Sequence, residues 1–262
     1  MWDYNQMRQR FERPLKALIL LALGLFLYSR LANGTLYFYI NSRFMGFTLV
    51  AIVGLLIVGL SYRFGRPPDH ENHDHDQHSH HPEHSHSHGL SWSGVFLVLL
   101  PIVLGLTVPA QPLGASALAN REINTGLNQN SLPGILGTAR QKASTDKNML
   151  DWWRSFRTSS DANTDRELIG QPARIVGFVY KDPKYGPDQF MLVRYIVSCC
   201  VADASALALL IESPEGATLA DDQWIQVDGL FKAGNLSDWQ WPILEASTIT
   251  PVDVPDLPYL FP

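Results

Sequence analysis

FMGFTLVAIVGLLIVGLSY, residues 44–62, decides the class of this chain. It holds about 19 residues without a charge, enough for a helix to cross the hydrocarbon core of a bilayer. Gly46, Gly54 and Gly59 leave room for a neighbouring helix to approach, although no GxxxG pattern is present. Upstream, SRLANGTLYFYINSRF (29–44) holds the turn signal Asn33-Gly34, and Tyr37, Phe38 and Tyr39 suit a membrane–water boundary. Before that lies a second apolar run, LKALILLALGLFLY (15–28), which follows a basic start of Arg8, Arg10 and Arg13 and carries Lys16 at its beginning. A basic start and a short apolar core also describe a secretory signal. No small-x-small cleavage pattern follows, so a retained helix is the preferred reading. Downstream, LSWSGVFLVLLPIVLGLTV (90–108) is a third uncharged run, with Pro101 placed to kink it.

Between the second and third runs, HENHDHDQHSHHPEHSHSH (70–88) contains all nine histidines of the protein. They stand at His70, His73, His75, His78, His80, His81, His84, His86 and His88. Only polar residues and one proline separate them, so the tract has nothing apolar to bury and is expected to stay mobile. Neutral imidazoles suit zinc, nickel, cobalt and copper, and the interleaved Asp and Glu add oxygen donors. The HxH pairs have no partner at zinc-finger spacing, which points to several exchangeable sites. The alternative is a polar linker of biased composition. Arginine and lysine flank the N-terminus and the 61–91 loop, which places both in the cytoplasm and everything after residue 109 outside the cell.

The second half is polar. Residues 109–145 are rich in small and turn-forming residues and read as a flexible tether. Thr145 or Asp146 is placed to cap a short helix whose Met149, Trp152, Trp153 and Phe156 share one face, and packing on the domain that follows is the favoured fate of that face. Then come five short apolar segments with turn signals between them: 173–181, 189–197, 206–213, 222–232 and 241–255. Within 222–232, Ile225, Val227 and Phe231 alternate with Gln226 and Asp228. This spacing predicts a small closed or nearly closed OB-like barrel. The fold class is thus a membrane α-helical N-terminal region with three spans plus an all-β C-terminal domain. Its parts are 1–64, the His-rich loop 65–89, the third span 90–108, the tether 109–145 and the barrel 146–262.

The only cysteines, Cys199 and Cys200, are adjacent, which excludes a disulfide framework. In a continuous strand their side chains would diverge. The order Val197-Ser198-Cys199-Cys200-Val201-Ala202-Asp203 suggests instead that the strand ends and a turn begins, bringing thiolate and carboxylate together. Thiolate with the Asp203 carboxylate suits zinc, the two thiolates alone suit copper(I), and an oxidising compartment permits a vicinal disulfide. The plainer alternative is one buried and one surface cysteine, with Asp203 serving the turn and pairing with Arg194. A net charge of −5 and the absence of a basic aromatic groove argue against nucleic acid as a partner. With every histidine in one loop, the barrel has no histidine base of its own, so an enzyme is not expected.

The segments LYFYINSRF (36–44), LLPIVLG (99–105), IVGFVY (175–180), FMLVRYIVSCCVADA (190–204), QWIQVDG (223–229) and PYL (258–260) resemble the YcgQ-like family of bacterial membrane proteins described as permease subunits. The resemblance implies a plasma-membrane protein working beside a multi-span permease. Two functions follow as expectations: an accessory permease subunit handling a transition metal, or a membrane-anchored thiol/redox protein centred on the cysteine pair.

Overall fold

The computed structural model describes residues 3–64, 92–120, 123–124, 142–158, 167–234 and 242–262. The histidine tract lies outside the described residues. The chain divides into two units: residues 1–35 with 45–110, and residues 36–44 with 111–262.

Among its described residues, the first unit holds three helices, α1 (Asp3–Ala32), α2 (Met45–Phe64) and α3 (Trp92–Thr107). Among the described residues, two stretches are long and apolar enough to cross a membrane: Pro14–Ala32, with mean hydropathy 1.8, and Ser42–Tyr62, with 2.4. Of the expected third span, 90–108, the described helix covers residues 92–107. The 16 residues of α3 extend about 24 Å at 1.5 Å per residue, against roughly 30 Å of hydrocarbon. Among the described residues, length alone therefore gives two spans. The helix continues through Pro101.

Glycines set the approach of these helices. A Cβ at Gly59 would lie 3.0 Å from the Leu21 side chain, and one at Gly24 would lie 3.0 Å from that of Leu56. Gly46 and Gly54 face open space, so of the three glycines singled out in the second run only Gly59 makes a close approach. Gly105 packs under the Phe26 ring, and its carbonyl accepts a hydrogen bond from the Arg30 guanidinium. Outward, Leu18, Phe47, Phe96 and Leu97 are each more than 60% exposed, an apolar surface suited to lipid.

Among its described residues, the second unit is all-β apart from one α-helix and short 3₁₀ turns. Its strands are β1 (Ile123–Asn124), β2 (Pro172–Tyr180), β3 (Gln189–Ile196), β4 (Ser205–Glu212), β5 (Trp224–Lys232) and β6 (Ile243–Pro251). The sheet order is β1-β4-β3-β2-β5-β6, and β4 also pairs with β6, so strands β2 to β6 close into a five-stranded barrel. Four of the five pairings around it are antiparallel, and the β4–β6 seam is parallel. The expectation of a small closed barrel therefore holds, with strand limits within two or three residues of those read from the sequence except at the C-terminal end of β6.

Burial follows the alternation. Ile225, Val227 and Phe231 of β5 are 0–1% exposed and join the main core, whereas Gln226 and Asp228 face outward half-buried. The helix α4 (Met149–Thr158) adds Met149, Trp152, Trp153 and Phe156 to the same core. Its cap differs from the expected Thr145 or Asp146. The Asn148 side chain accepts the Asp151 N–H at 2.9 Å, and the Asp151 carboxylate accepts the Asn148 N–H at 3.1 Å. Ser144–Asp146 form a separate 3₁₀ turn before it.

β3 and β4 are buried on both faces. Their second face, with Met191, Val193, Tyr195, Ala206, Ala208 and Leu210, is covered by Leu113, Ala115 and Leu118 and by Tyr259 and Phe261. Residues 113–118, inside the stretch read as a tether, are thus packed on the barrel wall. The bulge between Asp228 and Gly229 makes a tight crossing: a Cβ at Gly229 would fall 2.2 Å from the Glu245 carbonyl oxygen. Gly229→Ala should destabilise the domain by about 1–3 kcal/mol through overpacking against backbone. Thermal unfolding of the purified chain checks this; an unchanged midpoint would mean that β6 shifts freely there.

Candidate metal centre

The residues from Val197 to Ala204 leave β3 and turn sharply before β4 begins. Asp203 organises the turn. Its Oδ1 accepts the Ser198 N–H at 2.9 Å, and its Oδ2 accepts the Cys199 N–H at 2.7 Å and the Cys200 N–H at 3.4 Å. Val201–Asp203 form a 3₁₀ turn that starts after Cys200, the Asp203 N–H donating in return to the Cys200 carbonyl at 3.0 Å. Such reciprocal capping satisfies backbone donors that the end of a strand leaves unpaired. The expected turn is therefore present, and the side chains do not diverge. The Sγ atoms of Cys199 and Cys200 stand 3.6 Å apart as free thiols, Cys199 exposed and Cys200 half-buried. One donor atom from each of Cys199, Cys200 and Asp203 lies within 4.8 Å of the others.

A second segment, from the loop between α1 and α2, holds the turn from outside. Ile40 bridges Cys200 in antiparallel fashion, the Asn41 N–H donates to the Cys199 carbonyl at 3.0 Å, and the Val201 N–H donates to the Tyr39 carbonyl at 2.9 Å. Asn41, 5% exposed, donates through Nδ2 to the carbonyls of Ser198 (2.9 Å) and Val197 (3.3 Å). The C-terminal residues join from the other side. Leu260 bridges Ile196, and the Tyr259 hydroxyl donates to the Phe38 carbonyl at 3.1 Å while accepting the Leu113 N–H at 2.9 Å. Sequence reasoning assigned Tyr37 to Tyr39 to a membrane boundary and gave Asn41 no role. The signal was available only as the shared resemblance of LYFYIN, SCC and PYL, which lie far apart in the chain.

Arg194 does not pair with Asp203. It donates to the carbonyls of Pro258 (3.1 Å) and Leu257 (2.7 Å), and burial pulls its pKa down to about 10. That role is structural: it pins the C-terminal segment. The nine histidines fall outside the described residues, so the structure neither joins them to this turn nor separates them from it.

Charge and hydrogen bonding set the chemistry of the turn. The Cys199 thiol donates to the Asp203 carboxylate, and this bond, with the adjacent Cys200 and the carboxylate charge, lifts the thiol from 9.0 to about 11. Burial pushes the Asp203 carboxyl up, but the Cys199 thiol and the backbone N–H groups of Cys199, Ser198 and Cys200 outweigh it and hold it below the usual range. Cys199 should therefore alkylate slowly at pH 7.5. Its rate should rise about tenfold per pH unit and, in a chain that lacks the Cys200 contribution, level off between pH 9 and pH 11. Asp203→Asn removes the charge and should speed the reaction at pH 8. Iodoacetamide kinetics on a Cys200→Ser chain measure both; a plateau near pH 8.5 would contradict the carboxylate's role.

Comparison with known proteins places this turn in a family. The DUF1980 N-terminal domain matches residues 15–124, and the DUF1980 C-terminal domain matches residues 138–262. The chain belongs to the YcgQ-like DUF1980 family. It is similar to the UPF0703 protein YcgQ of Bacillus subtilis (strain 168), 24% identical over 280 residues, covering 94% of this chain and 98% of that protein. The family's two domains fall on the two halves of this chain, helical and β. The 36–44 segment belongs to the first domain in sequence but folds against the second in space.

Proposed function

We propose that this DUF1980 protein is a membrane-anchored accessory subunit of a permease that handles a transition metal or a metal-bound species. In this reading the Cys199–Cys200–Asp203 turn is the docking point on the β domain, and the histidine tract gathers the same metal on the other side of the membrane. The observation that carries it is the convergence of two thiols and a carboxylate within 4.8 Å on an accessible turn. Soft sulfur donors beside one oxygen donor select zinc, copper and related ions over magnesium or calcium. In this reading the chain acts by binding: every histidine of the sequence lies in the 70–88 tract, which leaves the β domain without a histidine base of its own.

The barrel is OB-like in this reading. Numbered within the barrel, strands β2 to β6 run in the closed order 1-2-3-5-4, and the parallel seam joins the third to the fifth. The plasma membrane is the natural site for the two apolar helices. Three crossings are supported by connectivity. Because Ile40 pairs with Cys200, the loop before α2 and the barrel share one side of any membrane. A chain that leaves that side through α2 needs a second crossing to return, and α3 is the apolar helix between. Basic residues at the N-terminus and after α2 then put the barrel outside the cell.

Purification of the detergent-solubilised chain from its native membrane, with metal analysis and identification of co-purifying membrane proteins, tests the reading. Bound zinc, nickel, cobalt or copper together with a multi-span protein is the expected result. A chain that carries no transition metal, takes none up, and comes without a membrane partner would sink it. The thiol/redox alternative rests on the 3.6 Å sulfur separation and predicts instead a vicinal disulfide in the protein as isolated.

A further inference from the structure

We infer that Cys199, Cys200 and Asp203 form a three-donor site for a single tetrahedral zinc-class ion, with its fourth position open to an exchanging ligand. This deepens the metal-handling reading and rests on it.

The argument starts from the sulfur separation. Two sulfurs each about 2.3 Å from one zinc and 3.6 Å apart subtend about 103° at the metal, close to the tetrahedral angle. A linear two-thiolate ion, the arrangement that copper(I) favours with two sulfurs, needs them about two bond lengths apart, roughly 4.6 Å. The turn holds them nearer than that, and it is pinned on both flanks by the pairing with residues 39–41 and by Leu260 against Ile196.

The third donor follows from counting lone pairs. A carboxylate offers about four acceptor positions. Three backbone N–H groups take one on Oδ1 and two on Oδ2, which leaves one on Oδ1. An Asp203 carboxylate oxygen and the two sulfurs lie within 4.8 Å of one another. A cation that binds all three displaces the protons of both thiols, and the two protons leave to solvent. Asp203 thus holds the turn and also completes the donor set.

The fourth position is open because Cys199 is exposed and Cys200 half-buried. Structural zinc sites are closed by four protein ligands; sites that exchange or react keep a position free. Three donors on an accessible turn suit transfer of the ion to and from a carrier that supplies the fourth ligand. Asn41 is the positioning residue. Its side chain touches no donor atom of the site, yet it fixes the backbone carbonyls of Val197 and Ser198 and so the spacing of the sulfurs.

Cobalt(II) titration of the full-length chain in detergent, with the nine histidines replaced by glutamine, reads this out by absorbance. The expected result is one ion per chain, with tetrahedral visible bands and a charge-transfer band of two thiolates, displaced mole for mole by zinc. Cys199→Ser and Cys200→Ser should each remove half of the charge-transfer intensity. Asp203→Asn and Asn41→Ala should weaken zinc binding about 10–100-fold, and Asn41→Ala should keep the two-thiolate band. Circular dichroism of each variant separates loss of binding from loss of fold. A band worth one thiolate, octahedral cobalt, or full affinity in Asp203→Asn would overturn the three-donor site. Copper(I) bound by both thiolates with no competition from zinc would overturn it while leaving the metal-handling reading intact. No uptake of cobalt, zinc or copper(I) by the chain with its histidines in place would remove both.

Discussion

Trp152→Ala is expected to cost the C-terminal domain about 3–5 kcal/mol, enough to lower its melting point by roughly 10–20 °C. The indole is fully buried. Its ring centroid lies 4.6 Å from that of Phe231 on β5 and 6.2 Å from that of Phe156 on α4, and Phe156 meets Phe231 edge-on at 5.3 Å. These three rings join α4 to the barrel core, so removing the middle one opens a cavity that neither rigid strand nor capped helix can fill. Lys147, whose ammonium sits 4.4 Å from the ring centroid, loses its partner as well. Near-UV circular dichroism of the purified chain during heating measures the loss. Arg174→Ala is the control: the Arg174–Asp228 pair is 2.7 Å long but largely exposed on the arginine side, and such pairs contribute about 1 kcal/mol or less. Equal effects from the two substitutions would mean that α4 is not part of the core.

Sidedness gives the other large effect, an all-or-none labelling pattern. Single-cysteine chains with a thiol only at position 199, only at 42 (Ser42→Cys) or only at 79 (Ser79→Cys) are to be treated in intact cells with a membrane-impermeant maleimide. Cys199 and the Ser42→Cys thiol should both react, Cys199 more slowly because the Asp203 carboxylate holds its thiol protonated above the usual range. The Ser79→Cys thiol should react only after the membrane is opened. Ser42 and Cys199 are exposed, so burial does not mask either. Labelling at 42 and 199 on opposite sides is incompatible with the Ile40–Cys200 bridge. Labelling at 79 together with 199 would mean that α2 and α3 do not both cross, and the histidine tract and the cysteine turn would then share a compartment. The pattern expected keeps them apart, so any metal they both handle must pass through the spans or through a partner permease.

Much of this protein is legible in its sequence because the deciding signals are local. An uncharged run such as 44–62 reads as a helix long and apolar enough to cross a membrane from its own residues. The alternation of Ile225, Val227 and Phe231 reads as a strand because side chains in extended chain point to opposite faces. The apolar face of Met149, Trp152, Trp153 and Phe156 reads as a packed helix for the same kind of reason. The turn at Cys199 was also foreseeable, since Asp203 is close enough in the chain to cap it. What sequence could not supply was anything set by contacts between distant residues. The cap of α4 depends on which of several polar residues the packed helix leaves at its end. Arg194 had a plausible local partner in Asp203, but folding brings it the carbonyls of Leu257 and Pro258, more than 60 residues away. The closure of the barrel between β4 and β6, and the segment 36–44 laid against Cys200 across some 160 residues, leave no periodicity in the chain. The 3.6 Å between two sulfurs is the final case: adjacent cysteines are a fact of sequence, but the backbone geometry that aims them together is held by Asp203, Asn41 and Leu260, which only the tertiary structure assembles.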